Sequence, residues 1–252
     1  MRHTIDLIFV LTHKEMKIRY KSSVFGYVWS IAQPLAFAFV FYVAFKIVMR
    51  IDMEDYALFL IAGLFPWQWF NNSVTAAPMV FLGNASIIKK VNFPRNVTIL
   101  ATVLQDMIHF VLSIPVLVLF IYIYGHSPAY LAWLYGIPLL LAVQLLMVYG
   151  VAVLIASINL FFRDLERLTI ILMTFMFYFT PVLYSVEMIP REYLHLVNLN
   201  PVAPLMISWR ELILHGALDP ASFFISLGYA VLFFLIGHGV YRSLAWRFAE
   251  VL

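Results

Sequence analysis

The chain contains no cysteine, so neither a disulfide nor thiol chemistry enters its fold or function. Charge is scarce as well. Asp, Glu, Lys and Arg make up 12% of the 252 residues against 64% hydrophobic, and mean hydropathy is +0.93. So few charges cannot cover a water-soluble globule. The Walker A pattern of a phosphate-cradling loop is missing, which excludes ATP binding by that route. Also missing are the H-E-x-x-H zinc pattern, the G-x-S-x-G nucleophile elbow and any pair of carboxylates placed for hydrolysis within an apolar stretch. The N-terminus shows no cleavable signal pattern, because its charged segment runs to Lys21 before the first long apolar stretch. At this length the expectation is a single membrane domain, residues 1–252, with no substantial soluble one.

What is present is apolar sequence in six long runs, at roughly 26–48, 57–82, 96–124, 131–160, 169–186 and 221–244. Each is long enough as a helix to cross ~30 Å of hydrocarbon. The fold class expected is therefore an all-α membrane protein with six transmembrane helices. The 16 Lys and Arg residues sort unevenly between the links. Arg2, Lys14, Lys17, Arg19, Lys21, Lys89, Lys90, Arg95, Arg163, Arg167, Arg242 and Arg247 fall on one side, leaving Lys46, Arg50, Arg191 and Arg210 on the other. The positive-inside rule then puts both termini in the cytoplasm. The net charge of +3 points to contact with anionic lipid head groups and not to nucleic acid.

On a helix over residues 1–24, Ile5, Ile8, Phe9 and Met16 cluster on one side and Lys14, Lys17 and Lys21 mark another. That pattern suits a helix lying in the membrane interface; the alternative is a charged flank that only fixes orientation. Asp106 sits within a span, with His109 one turn on. Such a step is either a proton relay or a hydrogen-bonded pair that orients helices. The links at 83–95 and 160–168 are short, so they can pass a push from a docked protein into the spans, or simply connect them. About 34 residues separate the last two spans. This segment is too apolar for a solvated loop and is broken by Pro190, Pro201 and Pro204. Two short helices dipping back into the outer leaflet would account for both features.

The second run holds Trp67, Gln68, Trp69, Asn71, Asn72 and Thr75, with Gln68, Asn71, Asn72 and Thr75 along one helical face. Amides facing lipid without partners cost several kcal/mol each, so this face should look into protein or a channel. Aromatic rings stack on sugar faces while amides exchange hydrogen bonds with hydroxyls, and weak repeated contacts permit sliding. Span five contributes Phe175, Phe177, Tyr178 and Phe179. The same residues also serve as ordinary helix packing, since aromatics make up 17% of the chain. Six helices alone leave no wide pore, so a passage for a hydrated polymer needs at least two copies.

Three segments in order carry a family resemblance. Arg19, Tyr20, Lys21, Ser22, Ser23, Val24, Phe25 and Gly26, followed by Trp29 and Pro34, resemble the opening signature of ABC-2-type polysaccharide export permeases. Asn159 to Leu165 and the run from Asn200 and Pro201 through Arg210 to Gly216 resemble that family's later segments. The resemblance implies a permease for lipid-linked polysaccharide, such as O antigen or teichoic acid, in the bacterial inner membrane. It implies a homodimer bound to two copies of a separate ATPase that holds ATP and Mg, with no cofactor and no metal on this chain. It further implies an ATPase-coupling surface of Lys14, Arg19, Lys89, Lys90, Phe93, Pro94, Arg95, Arg163, Asp164 and Arg167, and an outer gate of Asn200, Pro201 and Arg210. Tyr178 would join Trp67, Gln68, Trp69, Asn71 and Asn72 in the channel. The residues alone leave two rivals: a membrane-embedded enzyme on lipid-linked sugars using Asp106 and His109, and an ion-coupled carrier.

Overall fold

The structure, a computed structural model, describes residues 2–19, 25–91 and 93–248. Among these it is all-helical: α1 (Arg2–Arg19), α2 (Trp29–Tyr42) continued by a π-helical segment (Val43–Val48), α3 (Tyr56–Gly83), α4 (Ala85–Lys90), α5 (Asn96–Ile123), α6 (Tyr130–Asn159), α7 (Leu165–Phe179), α8 (Leu194–Leu199), α9 (Ala203–His215) and α10 (Pro220–Leu244). Among the described residues four helices are long and apolar enough to cross a membrane: residues 31–48, 96–123, 130–159 and 220–247. α3 matches them in length, but its mid-helix amides Gln68, Asn71 and Asn72 make it less apolar. α7 has 15 residues, about half the length of α3, α5 and α6.

Local chemistry accounts for several ends. α10 opens on Asp219, whose carboxylate accepts the amides of Ser222 at 2.9 Å and Ala221 at 3.4 Å, with Pro220 in the first turn. The bonds from Ser222 hold the Asp219 carboxyl below the ordinary carboxylate range, so it stays ionised as a cap. α9 ends at Gly216, φ +63°, where the amide returns to the Leu212 carbonyl at 3.1 Å; a left-handed residue there favours glycine. The fifth apolar stretch, expected over 169–186, is helical only over Leu165–Phe179. Pro181 supplies no N–H and disfavours helical backbone at Thr180, which is extended at ψ 135°.

α3 is the hub. Nearly every residue from Leu58 to Phe70 is buried, with α5, α6 and α9 packed around it. Trp69, Phe110 and Trp209 meet at its middle, with ring centroids 5.8 and 4.9 Å apart. α10 lies along α6 at backbone contact: a Cβ on Gly237 would meet the Gly150 carbonyl oxygen, and one on Gly150 would meet the backbone of Phe233 and Phe234. Small residues at such contacts matter in lipid, where apolar burial gives helices little reason to associate. α2 and α7 flank one side of α3, and α1 lies against α5.

The N-terminal helix divides its apolar residues differently from the expectation. Met16 and Leu11 are buried and Ile8 is half-buried, while Ile5 and Phe9 are exposed. Leu11 packs with Val97 and Ala101 of α5, so α1 has one protein-facing and one outward apolar side. A leucine at Gly237 should force α10 off α6. Because the atom met is backbone, the loss should exceed the ~1–3 kcal/mol of ordinary overpacking. Thermal unfolding in detergent reads it, and an unchanged melting temperature would contradict the close approach.

Candidate functional site

A groove of about 430 Å3 runs between α2, α3 and α7. α3 gives it Trp67, Gln68, Asn71, Asn72 and Thr75, and α7 gives Met173, Thr174, Phe177 and Tyr178. α2 closes the third side with Gln33, Phe37 and Phe41. The rings form a continuous apolar wall, with Phe177 5.5 Å from both Phe41 and Trp67 between centroids. The side chains of Gln68, Asn71 and Asn72 make no hydrogen bond among the described residues, so their donors and acceptors face open space. Gln33 and Thr174 also line this groove and were not picked out from the sequence; Gln33, a lone amide beside Pro34 in an apolar run, was the available signal.

Trp69 is placed elsewhere. Two residues beyond Trp67 lies ~200° around a helix, so Trp69 turns to α5, donates its indole N–H to the Val103 carbonyl at 3.2 Å and is 2% exposed. Other polar groups tie the hub to its neighbours. Gln144 of α6 donates to the Pro66 carbonyl at 2.8 Å and accepts the Trp209 indole, tying α3, α6 and α9 together. Asn159 donates to the Pro78 carbonyl at 2.8 Å. Asp106 accepts the Ser73 hydroxyl at 2.8 Å, and Asp106 and His109 are both buried.

At the end of the bundle that carries the 83–95 and 160–168 links, the Lys14 ammonium donates to Asn84 at 2.7 Å, which joins α1 to the α3–α4 corner. Lys89 and Lys90 are exposed at the end of α4, and Phe93 packs under α1 beside Leu11 and Val97. Pro94 is exposed, while Arg95 donates to the Ala245 carbonyl at 3.0 Å and lies 5.9 Å from the Phe248 ring. Arg163, Asp164 and Arg167 are exposed and form no ion pair among the described residues. Arg19 closes α1, and residues 20–24 of the opening signature, like Asn92 of the first of these links, lie outside the described residues. The sequence reading missed Phe248, which is fully buried between Phe81, Phe161 and Tyr241 and so joins the C-terminal end to both links.

At the opposite end, the break after α7 exposes a run of carbonyls, and each finds a donor. Asn200 donates to Phe179 O at 3.1 Å, and the Val182 amide donates to Thr180 O at 2.7 Å. Arg210 donates to Pro181 O at 2.7 Å and to Val182 O at 2.9 Å, and the Tyr56 hydroxyl donates to Leu183 O at 2.9 Å. Arg210 is 6% exposed and lies 3.7 Å over the Phe59 ring. It neither snorkels nor forms an ion pair among the described residues; it caps irregular backbone. Gly63 leaves the room for it, since a Cβ there would overlap the guanidinium. Pro201, half-buried, opens the turn into α9 beside Asn200, whose side chain also accepts the Val202 amide at 3.0 Å.

A bundle of long apolar helices, with an amide-and-aromatic groove on one side and its irregular backbone sealed by protein donors, defines a multi-pass membrane protein. The profile of the ABC-2 type transporter family matches residues 6–214, from the start of α1 to the last turn of α9, and the chain belongs to that family. It is 46% identical over 252 residues to the O-antigen export system permease protein RfbA of Klebsiella pneumoniae, covering 99% of this chain and 96% of that one. It is 30% identical over 247 residues to a protein of the same name from Myxococcus xanthus, covering 97% and 94%. The polysialic acid transport protein KpsM of Escherichia coli is 22% identical over 248 residues, covering 95% and 93%.

Replacing Arg210 with leucine strands the Pro181 and Val182 carbonyls, at about 1–3 kcal/mol for each buried group left unmade. Gly63→Ala should reproduce the loss by displacing the guanidinium. Thermal unfolding of the two variants in detergent should show matching drops; a destabilised Arg210→Leu beside an unaffected Gly63→Ala would show that Arg210 does not need that position.

Proposed function

We propose that this chain is the transmembrane subunit of an ATP-driven exporter that carries a lipid-linked polysaccharide, of the O-antigen kind, from the cytoplasm across the bacterial inner membrane. The observation that carries the reading is the row of unpaired amides, Gln68, Asn71 and Asn72, in an aromatic groove within a chain of this family. Side-chain amides at membrane depth need partners. Sugar hydroxyls and water supply them in turn, each exchanged for the next as the polymer slides, while Tyr178 offers a flat face to the rings and Trp67, 3% exposed against Phe70 and Phe177, backs the wall. Trp69 is left out of this lining, since it faces α5.

In this reading α2 with its π-helical extension, α3, α5, α6, α7 and α10 make six crossings, with both termini cytoplasmic. α7 spans only ~22 Å as a helix and is completed by the capped stretch after it. The distribution of Lys and Arg supports the orientation. The groove is open on one side, so a second copy of the chain, facing the first, would enclose the polymer. Two copies of a separate ATPase, holding ATP and Mg, would dock against Lys14, Arg19, Lys89, Lys90, Phe93, Pro94, Arg95, Arg163, Asp164 and Arg167. The links that bear these residues are braced together through Asn84 and Phe248, which supports their moving as a unit. α8 and α9, with Asn200, Pro201 and Arg210, would form the outer gate.

A charge in the groove tests the passage. Asn71→Arg or Asn72→Arg should lower surface polysaccharide about tenfold or more, as for ~1.4 kcal/mol added to the limiting step, at unchanged protein level. Normal export in both variants would return that face to helix packing. Arg163→Ala and Asp164→Ala, assayed in the complex with the ATPase, should let hydrolysis continue while export falls; unchanged export in both would remove them from the coupling.

A further inference from the structure

A second cavity, larger than the groove, opens between α1, α3 and α5. It holds about 590 Å3, within the roughly 300–1,000 Å3 of small-molecule sites. Its wall is polar at a depth where the helices around it are apolar. Lys14 and Asn84 stand on it at the end of the bundle that carries the 83–95 link, and Gln105 and Asp106 line it further in. Gln105 is 5% exposed, and its carboxamide makes no hydrogen bond among the described residues. Its polar atoms open on the cavity and not on a protein partner, so what fills the cavity, water or ligand, supplies their hydrogen bonds. Asn72 and Thr75 line both this cavity and the groove, so an occupant of one lies within reach of the other.

The chemistry of the wall narrows the occupant. Acyl chains offer nothing to Gln105 or Asn72. A phosphate would meet Lys14, but Glu15 and Asp106 also line the cavity and oppose an anion, and Lys14 already binds Glu15 at 3.2 Å and Asn84 at 2.7 Å. Neutral groups that both donate and accept fit every part: carboxamides take and give, and the Thr75 hydroxyl, which donates to its own helix, still accepts.

We propose that this cleft is a saccharide subsite, holding a short stretch of neutral sugar chain on the cytoplasmic side before it passes Asn72 into the groove. The proposal rests on the export reading above and adds a place where the polymer waits outside the groove.

The absence of cysteine makes the test direct, since a thiol introduced is the only one on this chain, and labelling is read on this chain after it is separated from the complex. Gln105→Cys and Asn71→Cys are made singly in the full complex and exposed, in inverted membrane vesicles, to a water-soluble methanethiosulfonate reagent. Vesicles come from cells with lipid-linked glycan synthesis intact or blocked. Without glycan both thiols should react, and with glycan both should react at least several-fold more slowly. Slowing at Asn71→Cys alone would overturn the subsite and leave the groove standing, whereas slowing at neither would overturn both readings. Reaction of Gln105→Cys only with an apolar, lipid-partitioning maleimide would show an acyl-filled cleft and overturn the subsite. Thr102→Cys, on the same wall, gives the same readout if Gln105→Cys fails to reach the membrane.

Discussion

A carbonyl at membrane depth must find a donor inside the protein, and in this chain that demand is concentrated at the break after Phe179. Five successive carbonyls, from Phe179 to Leu183, are answered by Asn200, the Val182 amide, both terminal nitrogens of Arg210 and the Tyr56 hydroxyl. Apart from the Val182 amide, which belongs to the break itself, those donors come from α3, α9 and the turn before α9, so the segment after α7 and the hub helix together hold the end of α7. α7 in turn carries Thr174, Phe177 and Tyr178 into the groove. One buried guanidinium therefore links this end of the bundle to the wall past which a polymer would slide. A lysine could not replace it, since its single ammonium lacks the planar fork that reaches two adjacent carbonyls.

Amides in this bundle divide by whether they are paired. Gln144 and Asn159 clamp α3 from the α6 side through the Pro66 and Pro78 carbonyls. Gln68, Asn71, Asn72 and Gln105 have no such partners among the described residues and all line cavities. The first set rigidifies the hub, and the second presents hydrogen-bonding capacity that the described residues do not use. A rigid wall bearing loose, repeated contacts suits a sliding polymer better than one tight site, which would hold it.

Much of the architecture was legible from runs of apolar residues, because length and periodicity respond to the hydrocarbon. The α3, α5, α6 and α10 helices begin and end within a residue of the apolar stretches read for them. What escaped the sequence depends on direction and long-range partners. Trp67 and Trp69 belong to one motif and point opposite ways. Arg210 could be placed near the outer end but not given its carbonyl partners, which lie 28 and 29 residues earlier. The fifth stretch ends early because Pro181 outweighs the hydrophobicity that continues beyond it. Phe248 drew no notice, since nothing in a C-terminal aromatic announces that Phe81 and Phe161 will close around it. The charged links were legible as surface, which is how Arg163, Asp164, Lys89 and Lys90 stand.

The central claim is export, and the location of the glycan in cells lacking this chain tests it most directly. The account predicts full-length lipid-linked polymer retained on the cytoplasmic face of the inner membrane, with none at the surface, and surface glycan restored when the chain is supplied again. Normal surface glycan in those cells, with no second exporter present, would contradict it.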